Sequence, residues 1–264
     1  MSTFLFDKVV FGPVQSRRLG VSLGINLLPT GRKYCNFDCI YCECGRSSPL
    51  LWQETGEKSQ TLPARPEVYS ALERQLVSMQ QSGQLPDAIT FAGNGEPTLH
   101  PNFPAIIDDT EMLRNRYAPR SKISVLTNAT MLHRQEITEA LKKTDLPILK
   151  LDSALDATIT LLNQPSKKMA AAQLIEQLQA FGKGCRVQTM FVRGTVHGQP
   201  VDNTTLDELN AWERAIVTIR PAQVMIYTIA RDTPTDTLGR APLETLREIA
   251  ARIEKQRIPV QVSE

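Results

Sequence analysis

Along the chain, apolar residues alternate between short extended runs and stripes at helical spacing. The run from Ser22 to Leu28 ends at Pro29, Thr30 and Gly31, which predicts a strand feeding a loop. Residues 66–82 then set Val68, Leu72, Leu76 and Met79 on one helical face, with Gly83 and Pro86 as the stop. Strands follow at 88–92, 122–127, 147–152, 186–192 and 224–229, with helices at 103–116, 170–181 and 205–219 among them. A last helix carries Leu243, Leu246, Ala250 and Ile253 on one face, and residues 259–262 add a short final strand.

Strands that alternate with helices pair in parallel through right-handed crossovers, so the expected fold is an α/β sheet closing partly or wholly into a barrel. Functional residues of such a sheet belong at the C-terminal ends of its strands. No repeat, low-complexity tract or composition shift marks a boundary, and residues 1–264 read as a single domain. The piece from Ser47 to Gln60 reads as a loop insertion. Composition adds only exclusions: with 41% hydrophobic and 22% charged residues, wholesale disorder and fibrous repeats are not expected. No stretch reaches the roughly 20 apolar residues that cross a bilayer. The patch Phe4–Phe6 is too short for a signal peptide, so a cytoplasmic setting with no membrane partner is expected. Lys and Arg number 30 against 28 Asp and Glu, which neither demands nor excludes a nucleic-acid partner.

Cysteine placement is more informative. Cys35, Cys39, Cys42 and Cys44 are clustered, and Cys185 stands alone at the start of an apolar run, where it reads as a buried core thiol. An odd total without an export signal argues against a disulfide framework and for metal or redox chemistry. Residues 35–42, CNFDCIYC, form a CX3CX2C pattern. Zinc is normally closed by two separated pairs of ligands, which one short loop does not supply. A [4Fe-4S] cluster offers separate corner irons, so three thiolates from one loop reach three of them and leave the fourth open to a substrate or cofactor. Only one residue separates Cys42 from Cys44, which makes ligation of a different corner awkward and leaves Cys44 a spare thiol.

Polar residues recur at the predicted strand ends. Gly93-Asn94-Gly95-Glu96-Pro97 follows the second strand; its glycines permit close backbone approach, and taken alone it reads as a tight turn. Asn128 ends the third strand. Lys150, Asp152 and Ser153 end the fourth, and strand alternation puts Lys150 and Asp152 on one face, as a structural ion pair or as part of a site. Gln188 and Tyr227, on the fifth and sixth strands, face either the barrel or the helices. Arg17, Arg18 and Arg231 are either surface cations or contacts to a substrate anion, and His100, His133 and His197 share no metal-ligand spacing.

With Tyr41 at its aromatic position, CX3CXΦC resembles the signature of the radical S-adenosylmethionine (SAM) superfamily. The resemblance implies a partial (β/α)6 barrel with the cluster loop after the first barrel strand. It also implies a [4Fe-4S] cluster on Cys35, Cys39 and Cys42 whose open iron chelates SAM, and reductive cleavage of SAM to methionine and a 5′-deoxyadenosyl radical. The GNGEP segment resembles the family's "GGE" element, with Asn94 in place of the second glycine, so Asn94, Gly95 and Glu96 are expected near the methionine amino group. Tyr41, Asn128, Asp152 and Ser153 are expected to contact SAM, with Gln188 and Tyr227 as further barrel-facing candidates, Tyr227 packing on adenine. Lys150 is the catalytic candidate, for an anionic substrate or an imine.

Within the superfamily, FGP and SRRLG near the start, GNGEPTLHP and KLD resemble most an uncharacterised Fe–S oxidoreductase group related to wyosine-type tRNA synthases. Those synthases carry a second cluster on additional N-terminal cysteines, and no cysteine precedes Cys35, which counts against the tRNA reaction. The expected partners are a small-molecule or RNA substrate and an external one-electron donor such as flavodoxin or ferredoxin. Glycyl-radical activation ranks lower, since nothing marks a large protein-binding surface, and an electron-transfer module would need a fully ligated cluster.

Overall fold

The computed structural model describes residues 4–47, 61–231 and 233–263, so the Ser47–Gln60 insertion lies almost wholly outside the described residues. In chain order come β1 (Val10–Ser16), β2 (Gly20–Ile25), α1 (Arg65–Ser82), β3 (Ala88–Phe91), α2 (Phe103–Tyr117), β4 (Lys122–Thr127), α3 (Gln135–Lys142) and β5 (Leu146–Lys150). Then follow α4 (Asp156–Asn163), α5 (Ala171–Phe181), β6 (Arg186–Met190), β7 (Val192–Val196), β8 (Gln199–Asp202), α6 (Leu206–Ile219), β9 (Gln223–Tyr227), β10 (Leu238–Arg240), α7 (Leu243–Glu254) and β11 (Val260–Ser263). The main sheet runs β1-β2-β3-β4-β5-β6-β9-β11, parallel except for β1, and a small antiparallel sheet runs β10-β7-β8. The curled parallel sheet is a partial α/β barrel, with β2, β3, β4, β5, β6 and β9 as the six expected strands and β11 as the short last one.

Alternation along the strands separates two interiors. Leu23, Ile25, Ile89, Phe91, Ile123, Val125, Leu149 and Val187 join one core with Leu72 and Leu76 of α1, Ile106 of α2, Leu178 of α5 and Ile216 of α6. Each such side chain, fully buried, contributes roughly 1.5–3 kcal/mol. The other register of the same strands carries Ser22, Thr90, Ser124, Lys150 and Gln188, and Ser22 and Thr90 hydrogen-bond each other there at 2.8 Å. The barrel is therefore apolar outside, against its helices, and polar inside.

The strand expected at 186–192 is shorter than its apolar run. It leaves the barrel at Phe191, whose ring packs edge-on against Trp212 at 5.3 Å, and Val192 starts the second sheet. Asn203 secures the break: its amide donates to the carbonyls of Met190 at 2.8 Å and Asp152 at 2.9 Å, and its oxygen accepts from Val192 N at 2.9 Å. Two short helices, α3 and α4, are not among the expected elements, although α3 buries Ile137, Ala140 and Leu141 at helical spacing. Cys185 is buried in the core, where burial pushes its thiol up to about 11. Among the described residues no helix is long and apolar enough to cross a membrane.

Candidate cluster and cofactor site

The loop after β2 is held from both sides by backbone. Toward β3, Tyr34 N donates to Asn94 O at 2.7 Å and Glu96 N to Tyr34 O at 3.1 Å. This close approach requires Gly95, at φ 145°, because a Cβ there would overlap the Tyr34 carbonyl. Toward α4, Asp38 N donates to Asn163 O and Ile40 N to Leu162 O, both at 2.9 Å. The result is a cavity of about 160 Å³ at the C-terminal ends of the strands, lined by Cys35, Cys39, Cys42 and Cys44 together with Gly95, Glu96, Asn128, Lys150 and Gln188.

The sulfurs meet hydrogen-bond donors. Phe37 N lies 3.4 Å and Asn128 Nδ2 3.8 Å from Cys35 Sγ, and Asn163 Nδ2 lies 3.4 Å from Cys39 Sγ. Lys33, 3% exposed, sits among them with its ammonium on Asp38 at 2.8 Å and on the Gly45 carbonyl at 3.0 Å. Burial pulls Lys33 down, but the surrounding thiols and Asp38 hold it above the ordinary lysine value. A hydrogen bond from Cys44, opposed by burial and aided by Lys33, brings Cys42 down to about 6, whereas burial pushes Cys35 and Cys39 up. Among the described residues no three His, Cys, Asp or Glu side chains converge as one metal ion would need. Thiols spaced around one cavity, with amide donors aimed at their sulfurs, fit instead a multi-iron cluster with a different iron at each cysteine.

Glu96 is buried and held at both carboxylate oxygens. Oε1 accepts from Thr98 N at 3.0 Å and Thr127 Oγ1 at 2.7 Å, and Oε2 accepts from Asn128 N at 2.6 Å. Burial raises its carboxyl above the ordinary range against these donors. Asn128 continues the link, its amide reaching Asn36 Oδ1 at 2.7 Å. On the opposite wall Lys150 Nζ donates to Tyr41 OH at 2.8 Å and lies 3.4 Å from Asp152, whose carboxylate also accepts from Tyr41, Asn163 Nδ2 at 2.7 Å and Met190 N at 2.9 Å. Burial opposes the charge on Lys150, yet the carboxylate of Asp152 leaves it above the ordinary value.

Of the residues singled out by sequence, Tyr41, Gly95, Glu96, Asn128, Lys150 and Gln188 line the cavity beside the three cysteines. Four do not. Asp152 stands behind Lys150 and Tyr41. Ser153 turns away, donating to Glu208 of α6 at 2.7 Å. Asn94 ties the N-terminal segment and the loop to β3, accepting from Phe6 N and donating to Phe6 O and Pro29 O within 2.9 Å. Tyr227 holds Gln188 Nε2 at 2.6 Å and lies under Arg18, which itself donates to Gln188 at 2.8 Å. Arg18 thus spans from the β1–β2 turn to β6 and β9, while Arg231 pairs with Glu43 at 2.7 Å. His100 is a buried neutral turn residue, accepting from Asn102 N and held at its other nitrogen by Pro63 O. Lys33 and Asn163 carried no signal in the sequence; both reach the sulfurs only through the fold.

An α/β barrel with a cysteine loop clamped at the C-terminal end of its first parallel strand defines the class. The chain belongs to the radical SAM superfamily, whose family profile matches residues 32–203. It is similar to a UPF0026 protein of Methanocaldococcus jannaschii, 32% identical over 173 residues, which cover 66% of this chain and 49% of that protein. The chain thus spans about half the length of that relative. In fold it is similar to Streptococcus suis SuiB bound to S-adenosylmethionine (TM-score 0.61, 16% identity, 91% of this chain and 50% of that one). It is also similar to archaeal TYW1 (TM-score 0.51, 11% identity, 89% and 72%).

Proposed function

We propose that this chain is an enzyme that reductively cleaves S-adenosylmethionine at a [4Fe-4S] cluster held by Cys35, Cys39 and Cys42, and that the radical so made takes hydrogen from a small-molecule or RNA substrate. The observation that carries this reading is that the three thiols share one cavity with Glu96, Asn128 and Lys150 at the C-terminal edge of a parallel barrel. When bound, the cluster supplies the single electron that breaks the sulfonium bond of SAM. The chain supplies placement. Glu96 offers a negative wall to the methionine ammonium and, through Thr127 and Asn128, fixes the end of β4. Lys150, positioned by Tyr41 and Asp152, gives a cation to an anionic group of cofactor or substrate. Phe37, Leu126 and Ile148 are the apolar part of the wall and keep water from a reactive centre. The electron comes from an external donor of the flavodoxin or ferredoxin kind, in a cytoplasmic setting.

The test is 5′-deoxyadenosine release by the anaerobically reconstituted, reduced protein given SAM, with and without RNA. Wild type is expected to release it, and Cys42→Ala to fall to background with unchanged circular dichroism. Undiminished release by Cys42→Ala overturns the assignment; stimulation by RNA selects the RNA substrate.

A further inference from the structure

Behind the cysteine loop lies a second cavity, of about 510 Å³, that the proposed chemistry leaves unused. Phe37, in its floor, is shared with the cluster cavity. Its ionisable lining residues are Lys167, Lys168 and His133, all exposed, and no Asp or Glu lines it. Among the described residues no ion pair engages either lysine.

The floor of this cavity is one residue from a cluster ligand. Phe37 N donates to Cys35 Sγ at 3.4 Å, and the neighbouring Asn36 accepts from Asn128, whose amide also faces that sulfur. The wall is fixed to the floor: Phe37 pairs with Pro165, and Ser166 N donates to Asn36 O at 2.9 Å. A body resting on 165–168 is therefore held in register with the cysteine loop.

Resting on the function proposed above, we infer that this basic cavity docks a small acidic flavoprotein that carries one electron, and that the electron enters the cluster through the Asn36–Phe37 side of the loop. Charge selects the occupant: a concave, carboxylate-free surface with two unpaired lysines attracts an acidic face and orients it during encounter. The step balances simply. The flavin loses one electron, the cluster gains one, and no bond forms or breaks.

Reduced flavodoxin is the probe. It is mixed anaerobically with reconstituted wild type and with K167E/K168E, and bleaching of the cluster's visible absorption is followed. The double charge reversal is expected to slow bleaching about tenfold at low salt, and added salt to slow wild type toward the variant. Dithionite, which needs no docking, is expected to bleach both equally. Carbodiimide cross-linking is expected to join flavodoxin to Lys167 or Lys168. Equal flavodoxin rates in the two proteins, or cross-links confined to other lysines, overturn the inference. A wild-type cluster that dithionite itself cannot bleach refutes the underlying function, and this inference with it. Unchanged flavodoxin rates with weakened RNA retention by the variant would reassign the cavity to nucleic acid.

Discussion

Strands β3 and β5 are each preceded directly by a carboxylate, Asp87 and Asp145, and each runs out into a segment that carries another, Glu96 in the turn after β3 and Asp152 just past β5, and the two ends use them differently. At the entering end, Asp87 accepts from Val21 N at 2.8 Å, and Asp145 accepts from Ile123 N and from Arg114, both at 2.9 Å. These are clips between neighbouring strands, part open to water. At the leaving end, Glu96 and Asp152 are 2% exposed; Glu96 accepts from Thr98, Thr127 and Asn128, and Asp152 meets Lys150 and Tyr41. A carboxylate is a strand fastener at one edge, and at the other it is either part of the cavity wall, as Glu96, or the support behind that wall, as Asp152. A partial barrel concentrates stability at its entering face and chemistry at its leaving face.

The largest break in this comparison is expected at Asp152. Asp152→Ala strands the mostly buried Lys150 and the Tyr41 hydroxyl, at a loss of about 3 kcal/mol in urea unfolding. Adding Lys150→Met should recover much of that loss, because the unpaired charge is then gone. A double variant as unstable as Asp152→Ala would show that the carboxylate's other partners, Asn163 and the Met190 amide, dominate.

Glu96→Gln sharpens the same end. Its amide keeps one acceptor oxygen for Thr98 and Thr127 but sets an NH2 donor against the Asn128 amide, so a loss of about 2 kcal/mol and weaker SAM binding by calorimetry are expected. Wild-type SAM affinity in this variant would remove Glu96 from the binding wall.

The entering end should respond least, and with a distinct pH signature. Burial pushes Asp145 up, but the Ile123 amide and Arg114 more than offset it and leave its carboxyl below the ordinary value. A depressed folded pKa means that the carboxylate's stabilisation is present above about pH 4 and is lost as pH falls through the folded value. Asp145→Asn is expected to lose about 1 kcal/mol at neutral pH and to show a flatter acid limb in thermal melts between neutrality and pH 2. An unchanged acid limb would assign the acid sensitivity to other carboxylates.

The parallel strands were legible from short apolar runs and the helices from apolar stripes, since each parallel strand is buried on both faces, whereas the antiparallel β1 and the small β10-β7-β8 sheet were not. The break at Phe191 was not legible: the apolar run 186–192 continues through it, and only Asn203, from beyond the hairpin, turns the backbone out of the barrel. Ser153 shows the same limit. It sits one residue past Asp152, so its side chain leaves on the opposite face and meets Glu208 of α6.

The sequence by itself determined which groups the loop and the strand ends present, because CX3CX2C spacing, a following GNGEP turn and strand-end polar residues are local features of backbone and residue type. Tertiary structure alone decided which groups surround the sulfurs. Asn163 reaches Cys39 from the end of α4, Lys33 folds back beside the thiols onto Asp38 and Gly45, and Arg18 crosses from the β1–β2 turn to Gln188 of the cavity wall. Such contacts depend on how far the sheet curls and how its helices pack, which is set by the sum of many small burial terms and not by the spacing of any one motif.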